Sequence, residues 1–229
     1  MMHFAATGVS LLALIFAAVG AFTNFIVVSN KDDKKPLVWY DGSRLCIDND
    51  GTVTCTVYPE LKKDYDKADE KWEGSIPHNM ELAGIFSLLA FIFAIITFLV
   101  VAAATGAKVA AALDGAKRKL IFLGGAGLGG LAALMSLVGW AIIAAAYTDP
   151  TLGTCKDGEK CTLADVAKER ADNADSKVEG PNLAEGFALQ IVAFVFLIAA
   201  AALSGVAGTQ EEENGAEGKS TAPEDALSA

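Results

Sequence analysis

The sequence is poor in the residues that carry most catalysis and metal binding, with only two histidines, His3 and His78, and four cysteines among 229 residues. No nucleophile, base and orienting group can be assembled around either histidine, so an enzyme, and a histidine-based hydrolase in particular, is not expected. The cysteines, Cys46, Cys55, Cys155 and Cys161, show no C-x-x-C spacing, which argues against a zinc site and leaves no metal or other cofactor expected. There is no Asn-X-Ser/Thr sequon, so glycosylation at Asn is not expected either. A net charge of −10 gives nucleic acid nothing to bind to. Charge itself is missing from four long stretches, and that absence is the most informative of all.

Those stretches are Val9–Val28, Leu82–Ala104, Leu120–Tyr147 and Phe187–Val206, and none contains Asp, Glu, Lys or Arg. The chain is 53% hydrophobic with a mean hydropathy of +0.40, and its charge is concentrated between the runs. A bilayer core takes roughly 20 apolar residues of helix to cross. A helix also satisfies its own backbone hydrogen bonds, which lipid cannot do. The runs lack the alternation of barrel strands. Four transmembrane helices are therefore expected over residues 9–28, 82–104, 120–147 and 187–206. They would be joined by outer loops over 29–81 and 148–186 and a cytoplasmic link over 105–119. The first run has no basic leader and is long for a signal core, so it is read as an uncleaved helix.

The link carries Lys108, Lys117, Arg118 and Lys119 against Asp114. Basic residues near helix ends in short loops stay on the cytoplasmic side. Both termini are then cytoplasmic, in a multi-pass protein of the plasma membrane or the secretory pathway. Residues 208–229, acidic and rich in Gly, Ser and Glu, are expected to be a disordered tail. All four cysteines fall in the outer loops, where oxidised pairs are expected, and the local pairings 46–55 and 155–161 close the shortest loops.

Within Leu37–Tyr58, Asn49-Asp50-Gly51 lies between β-branched runs that contain Cys46 and Cys55, which predicts a hairpin stapled by those cysteines. Leu61, Tyr65, Ala68 and Trp72 form a helical stripe over Glu60–Glu73, which predicts a charged helix. Thr162 and Asp165 read as a capping box opening a second short helix, which Gly180-Pro181 would stop after Lys177.

Four spans, a short middle link and a first outer loop with Trp39 ahead of a Cys46-x8-Cys55 hairpin resemble the claudin, peripheral myelin protein and channel-auxiliary tetraspan superfamily. In that family a W…GLWxxC element precedes a second cysteine, and here Gly42-Ser43-Arg44-Leu45 stands in the place of GLWxx. The chain differs in lacking the tryptophan of that element and in its second cysteine pair, as a distant member would. The resemblance implies an all-α membrane fold, a four-helix bundle with a small disulfide-stapled extracellular β-hairpin or sheet. It also implies a structural role through self-association or partner binding by the outer loops. The alternatives are an accessory subunit of a larger channel, transporter or membrane enzyme complex, and, with less support, a small channel. Expected partners are membrane lipid and either further copies of the chain or another membrane protein.

Gly125-Ala126-Gly127-Leu128-Gly129-Gly130 spells GxGxxG, but it lies inside an apolar run rather than after a strand, which excludes a dinucleotide site. The same residues satisfy a small-xxx-small pattern, with Gly125 and Gly129 one turn apart and Ala126 and Gly130 beside them, as close helix packing in lipid requires. Asn24 and Gln190 are the strongest polar groups in the runs and are expected to hydrogen bond between helices, to Thr97, to Ser136 or to each other. Glu81 and Glu185 are expected at the outer ends of the second and fourth spans.

Overall fold

A computed structural model of the chain describes residues 2–31, 34–49, 51–60, 76–106, 113, 115–148, 153–154, 160–161, 165 and 178–220. Four helices dominate it: α1 (Met2–Phe22), α2 (Ile76–Thr105), α3 (Gly115–Thr148) and α4 (Glu185–Ser220). All four are long and apolar enough to cross a membrane. They pack as a ring in which each helix touches its two neighbours, with α2 and α4 on a diagonal. Alanine makes the middle layer thin, where Ala13, Ala17, Ala94, Ala132, Ala133 and Ala193 meet around Leu197. Small residues at these contacts let the helix backbones approach closely.

The outward faces are as apolar as the interior. Leu99 and Val195 are 59% and 58% exposed, and only 28–33% of the residues in each spanning window are buried. A soluble bundle would carry charge on those faces.

Across one end of the ring lies an antiparallel sheet of five strands in the order β4-β3-β2-β1-β7. Its strands are β1 (Ile26–Asn30), β2 (Pro36–Tyr40), β3 (Arg44–Asn49), β4 (Thr52–Val57) and β7 (Val178–Leu183). Two-residue strands β5 (Gly153–Thr154) and β6 (Lys160–Cys161) pair separately. Alternate residues Ile26, Val28, Val38, Tyr40 and Leu45 face the helices and bury against Met80, Ala83, Ile143 and Ala146. The β3–β4 turn depends on Gly51, whose φ of 86° favours glycine, and whose N–H donates to Asp48 Oδ1 at 2.8 Å.

Several expectations need correction. The first helix ends at Phe22, although the apolar run continues to Val28. Ile26–Val28 instead alternate between the helix-facing and outer sides of the sheet, and β-branched residues suit that geometry. Gly180-Pro181 lies inside β7, a strand that the sequence reading did not anticipate. There the register against β1 slips between Val27 and Ser29, and β7 is an edge strand, so a residue without an N–H is accommodated. The sheet is thus larger than a hairpin and draws on both loops. The tail expected to be disordered from 208 continues α4 as far as Ser220. Gln, Glu and Ala are good helix formers and extend an existing helix without a nucleation cost. The link shortens, because α2 ends at Thr105 and α3 begins at Gly115, which puts Lys117, Arg118 and Lys119 in the first turns of α3. The stripe over 61–73, the capping-box helix after Asp165, residues 221–229 and the 155–161 pairing lie outside the described residues.

Candidate functional site

The most elaborated part of the molecule is the junction between sheet and bundle. The β2–β3 connection is the tight turn Asp41-Gly42-Ser43-Arg44, closed by Asp41 N–H donating to the Arg44 carbonyl at 3.1 Å. The Asp41 carboxylate organises it. Oδ1 accepts from the Ser43 N–H, the Ser43 hydroxyl and the Arg44 N–H at 2.8, 2.9 and 2.9 Å. Oδ2 accepts from Arg44 Nε at 2.9 Å. Burial pushes the Asp41 carboxyl up, but the bonds from Arg44 and Ser43 outweigh it and hold it below the ordinary 3.8. Tyr58, just beyond β4, donates its hydroxyl to the Asp41 carbonyl. Burial, with the nearby Asp41 and Tyr40, pushes that phenol well above its usual 10.0.

A group with a depressed folded pKa stabilises above its unfolded value and loses that contribution as pH falls through the folded one. The Asp41 turn should therefore hold throughout the neutral range and loosen on acidification below pH 3.8. Hydrogen exchange at Ser43 and Arg44 N–H, compared between neutral and acid pH, checks this. Asp41→Asn should abolish the pH step.

The turn is pressed onto α2 at Gly84. A methyl group at Gly84 would stand 1.7 Å from the Gly42 carbonyl oxygen, which shows how close the two backbones come. A small cavity beside the contact, about 190 Å³, is lined by Phe22, Asp41, Ser43, Arg44 and Leu88. Neither Gly84 nor Asp41 stands out in the sequence, since the contact joins residues far apart in the chain.

The paired cysteines lie one strand further out. Cys46 and Cys55 are directly opposed in the β3–β4 ladder and form a disulfide, with their Cα atoms 4.1 Å apart. Trp39 is the cross-strand neighbour of Cys46 on β2.

Asn24 is not in a helix. It follows the end of α1, and its backbone carbonyl accepts from the Gly186 N–H at 2.9 Å, tying the end of α1 to the start of α4. The sheet claims the residues after Phe22, so the Asn24 side chain never reaches the bundle interior. Together with Ser29, Lys34 and Glu185 it lines an open cleft of about 570 Å³ beside the sheet. Glu81, on α2, is not among the residues of that cleft.

Gln190 is buried inside the bundle. The Ser136 hydroxyl lies 3.0 Å from its backbone carbonyl and 3.2 Å from its side-chain Oε1, which links α3 to α4. Thr97, also buried, donates to the Phe93 carbonyl of its own helix instead.

The glycine run divides by face. Gly125 packs on Val101 of α2 and Gly129 on Ala201 of α4, where added methyl groups would come within 2.8 and 3.3 Å of those residues. Ala126 lies 4.0 Å from the methyl position of Gly205. Gly127 and Gly130 have open space where a side chain would be. Gly130 lines an apolar groove of about 440 Å³ on the outward face of α3 and α4, with Leu134, Leu137, Phe194, Ile198 and Ala202.

The fold and its junction define a class: a helical protein with four helices of membrane-spanning length and a disulfide-bonded antiparallel sheet across one end. No protein-family model matches the chain, and no curated protein matches it significantly.

Proposed function

We propose that this is a claudin-like structural protein of the plasma membrane or secretory pathway. It crosses the bilayer four times, with both termini cytoplasmic and the sheet outside, and it acts by self-association. The observation that carries the reading is the Cys46–Cys55 disulfide across the β3–β4 hairpin, in a sheet seated on a four-helix bundle. A disulfide belongs in an oxidising compartment. Lys117, Arg118 and Lys119 stand at the start of α3, at the end of the bundle away from the sheet, as the charge rule for cytoplasmic segments requires. The aliphatic outward faces suit lipid.

A second reading is an accessory subunit of a larger membrane complex. The apolar groove at Gly130 favours it, because it offers room for a foreign helix.

Cross-linking in intact membranes, followed by mild-detergent purification and mass measurement, separates the two. Ladders of the chain alone support self-association, whereas a fixed stoichiometry with a different protein supports the accessory role. A monomer under all conditions would sink both. Gly130→Leu should fill the groove and weaken whichever association uses it, without disturbing the fold, since nothing lies within 4 Å of the added methyl position. For orientation, an impermeant thiol reagent should reach Cys55 only from outside and only after reduction.

A further inference from the structure

The Asp41 turn leaves part of one charged group unspent. Both Asp41 carboxylate oxygens are occupied by bonds from Ser43 and Arg44. Arg44 gives that carboxylate only its Nε, and its two terminal nitrogens make no hydrogen bond to a described residue. The Arg44 side chain is 52% exposed. It borders the cavity of about 190 Å³ beside the turn, whose helix walls are apolar: Ala21 and Phe22 of α1, Gly84 and Leu88 of α2.

The helices fix the depth of this guanidinium. The turn rests on α2 at Gly84, and α2 carries no charge from there to Ala104, which is about 30 Å of helix and the thickness of a hydrocarbon core. Trp140 of α3 stands at the same level. The methyl position of its neighbour Gly139 lies 3.1 Å from Ser87 Oγ and 3.4 Å from the Ala83 carbonyl oxygen. Tryptophan favours the boundary between hydrocarbon and headgroups. Next to Arg44, towards the bundle, Phe22 and Leu88 are 69% and 44% exposed. Ile92 and Ile96, also exposed, continue the Leu88 row at one-turn intervals.

We propose that this cavity seats one phospholipid of the outer leaflet, with its phosphodiester on Arg44 and its acyl chains on Phe22 and the Leu88 row. The proposal rests on the membrane reading above. The two terminal guanidinium nitrogens form a planar fork that matches two phosphate oxygens. Asp41 holds Nε and so fixes the plane of that fork in advance, which lowers the ordering cost of binding. Asp41 and Arg44 are neutral as a pair, so a zwitterionic headgroup is enough. The apolar wall beside the fork is what separates a lipid from inorganic phosphate, which has nothing to place there.

The test takes the full chain from phosphatidylcholine vesicles into mild detergent and weighs it by native mass spectrometry. One retained phosphatidylcholine per chain is expected. Arg44→Gln should raise the apparent Kd for added phosphatidylcholine about tenfold, the effect of losing one charge-assisted pair. Arg44→Lys, which keeps the charge without the fork, should fall between the two. Hydrogen exchange at the Ser43 N–H, which bonds to Asp41, reports whether the turn survives in each variant. Where it does not, Leu88→Trp decides, because it fills the cavity from the helix side and should weaken binding as much. Equal binding by the wild type and both Arg44→Gln and Leu88→Trp would overturn the site while leaving the membrane reading in place. A galactolipid with the same acyl chains retained as well as phosphatidylcholine would overturn the role of the phosphate. An inorganic phosphate adduct that displaces the lipid, and is lost in Arg44→Gln, would overturn the lipid as occupant. A chain that does not enter vesicles at all would overturn the membrane reading and the site together.

Discussion

Gly84→Ala is expected to unseat the sheet from the bundle and to give the largest loss of stability of any single methyl group added to this protein. The new Cβ would lie 1.7 Å from the Gly42 carbonyl oxygen, 2.5 Å from its carbonyl carbon and 2.8 Å from its Cα. All three are backbone atoms of a turn already fixed by Asp41, so no flexible side-chain end can move aside. Either the turn lifts off α2 or α2 shifts away from the sheet, and both moves expose Phe25, Tyr40 and Met80 of the upper core. A loss above about 3 kcal/mol is expected, of the order seen for forced overpacking against backbone. Thermal unfolding in mild detergent, followed by near-UV signal from the aromatic residues, reads it. Gly127→Ala and Gly130→Ala are the controls, because their methyl groups meet nothing within 4 Å. If Gly84→Ala melts with the two controls, the turn does not rest on α2 as described.

The second large effect should come from the disulfide. The Cys46–Cys55 bridge closes a loop with a sequence separation of 9. Loop-closure entropy for a ring that small is worth about 2–3 kcal/mol. β4 has few other attachments, since it lies at an edge and its side chains are largely exposed. Replacing both cysteines by alanine should therefore act mainly on β4, raising hydrogen exchange at Thr54 and Thr56 while the helix amides stay protected. Uniform exchange across sheet and helices would mean instead that the bridge holds the whole fold. Unchanged exchange at Thr54 and Thr56 would mean that it holds nothing.

The four helices were legible because lipid-length hydrophobicity is a local signal: each run is contiguous and free of charge. Their ends were not, because the letters that end them are equally apolar. Phe25–Val28 reads as more helix until β2 and β7 are brought alongside, and only then does the alternation of Ile26 and Val28 matter. β7 was hidden for the same reason. Val178–Leu183, with Gly180-Pro181 inside it, resembles a helix stop, and its partner β1 lies some 150 residues earlier in the chain. The hairpin was legible in detail, since turn, β-branched flanks and cysteines all sit within about twenty residues. Gln190 was marked by its polarity as an interhelical bonding group, but the sequence left Thr97, Ser136 and Asn24 open as its partner, and only the packed helices single out Ser136. Asn24 was misplaced along with the helix end that it follows. The contact of Gly42 with Gly84 left no local mark, since a glycine in an apolar helix can serve several purposes.

The strand order has a consequence for how the protein is made. β1 leaves the ribosome some 150 residues ahead of β7, yet they are neighbours in the finished sheet. On the proposed topology, the β1 edge must wait, unpaired, while α2 and α3 are inserted and the second outer loop is translocated. β7 can reach it only once the chain on either side of that loop has been threaded with the correct sense. On that topology the sheet closes only after every span is in place, and a molecule with an inverted or skipped span would keep a bare β1 edge.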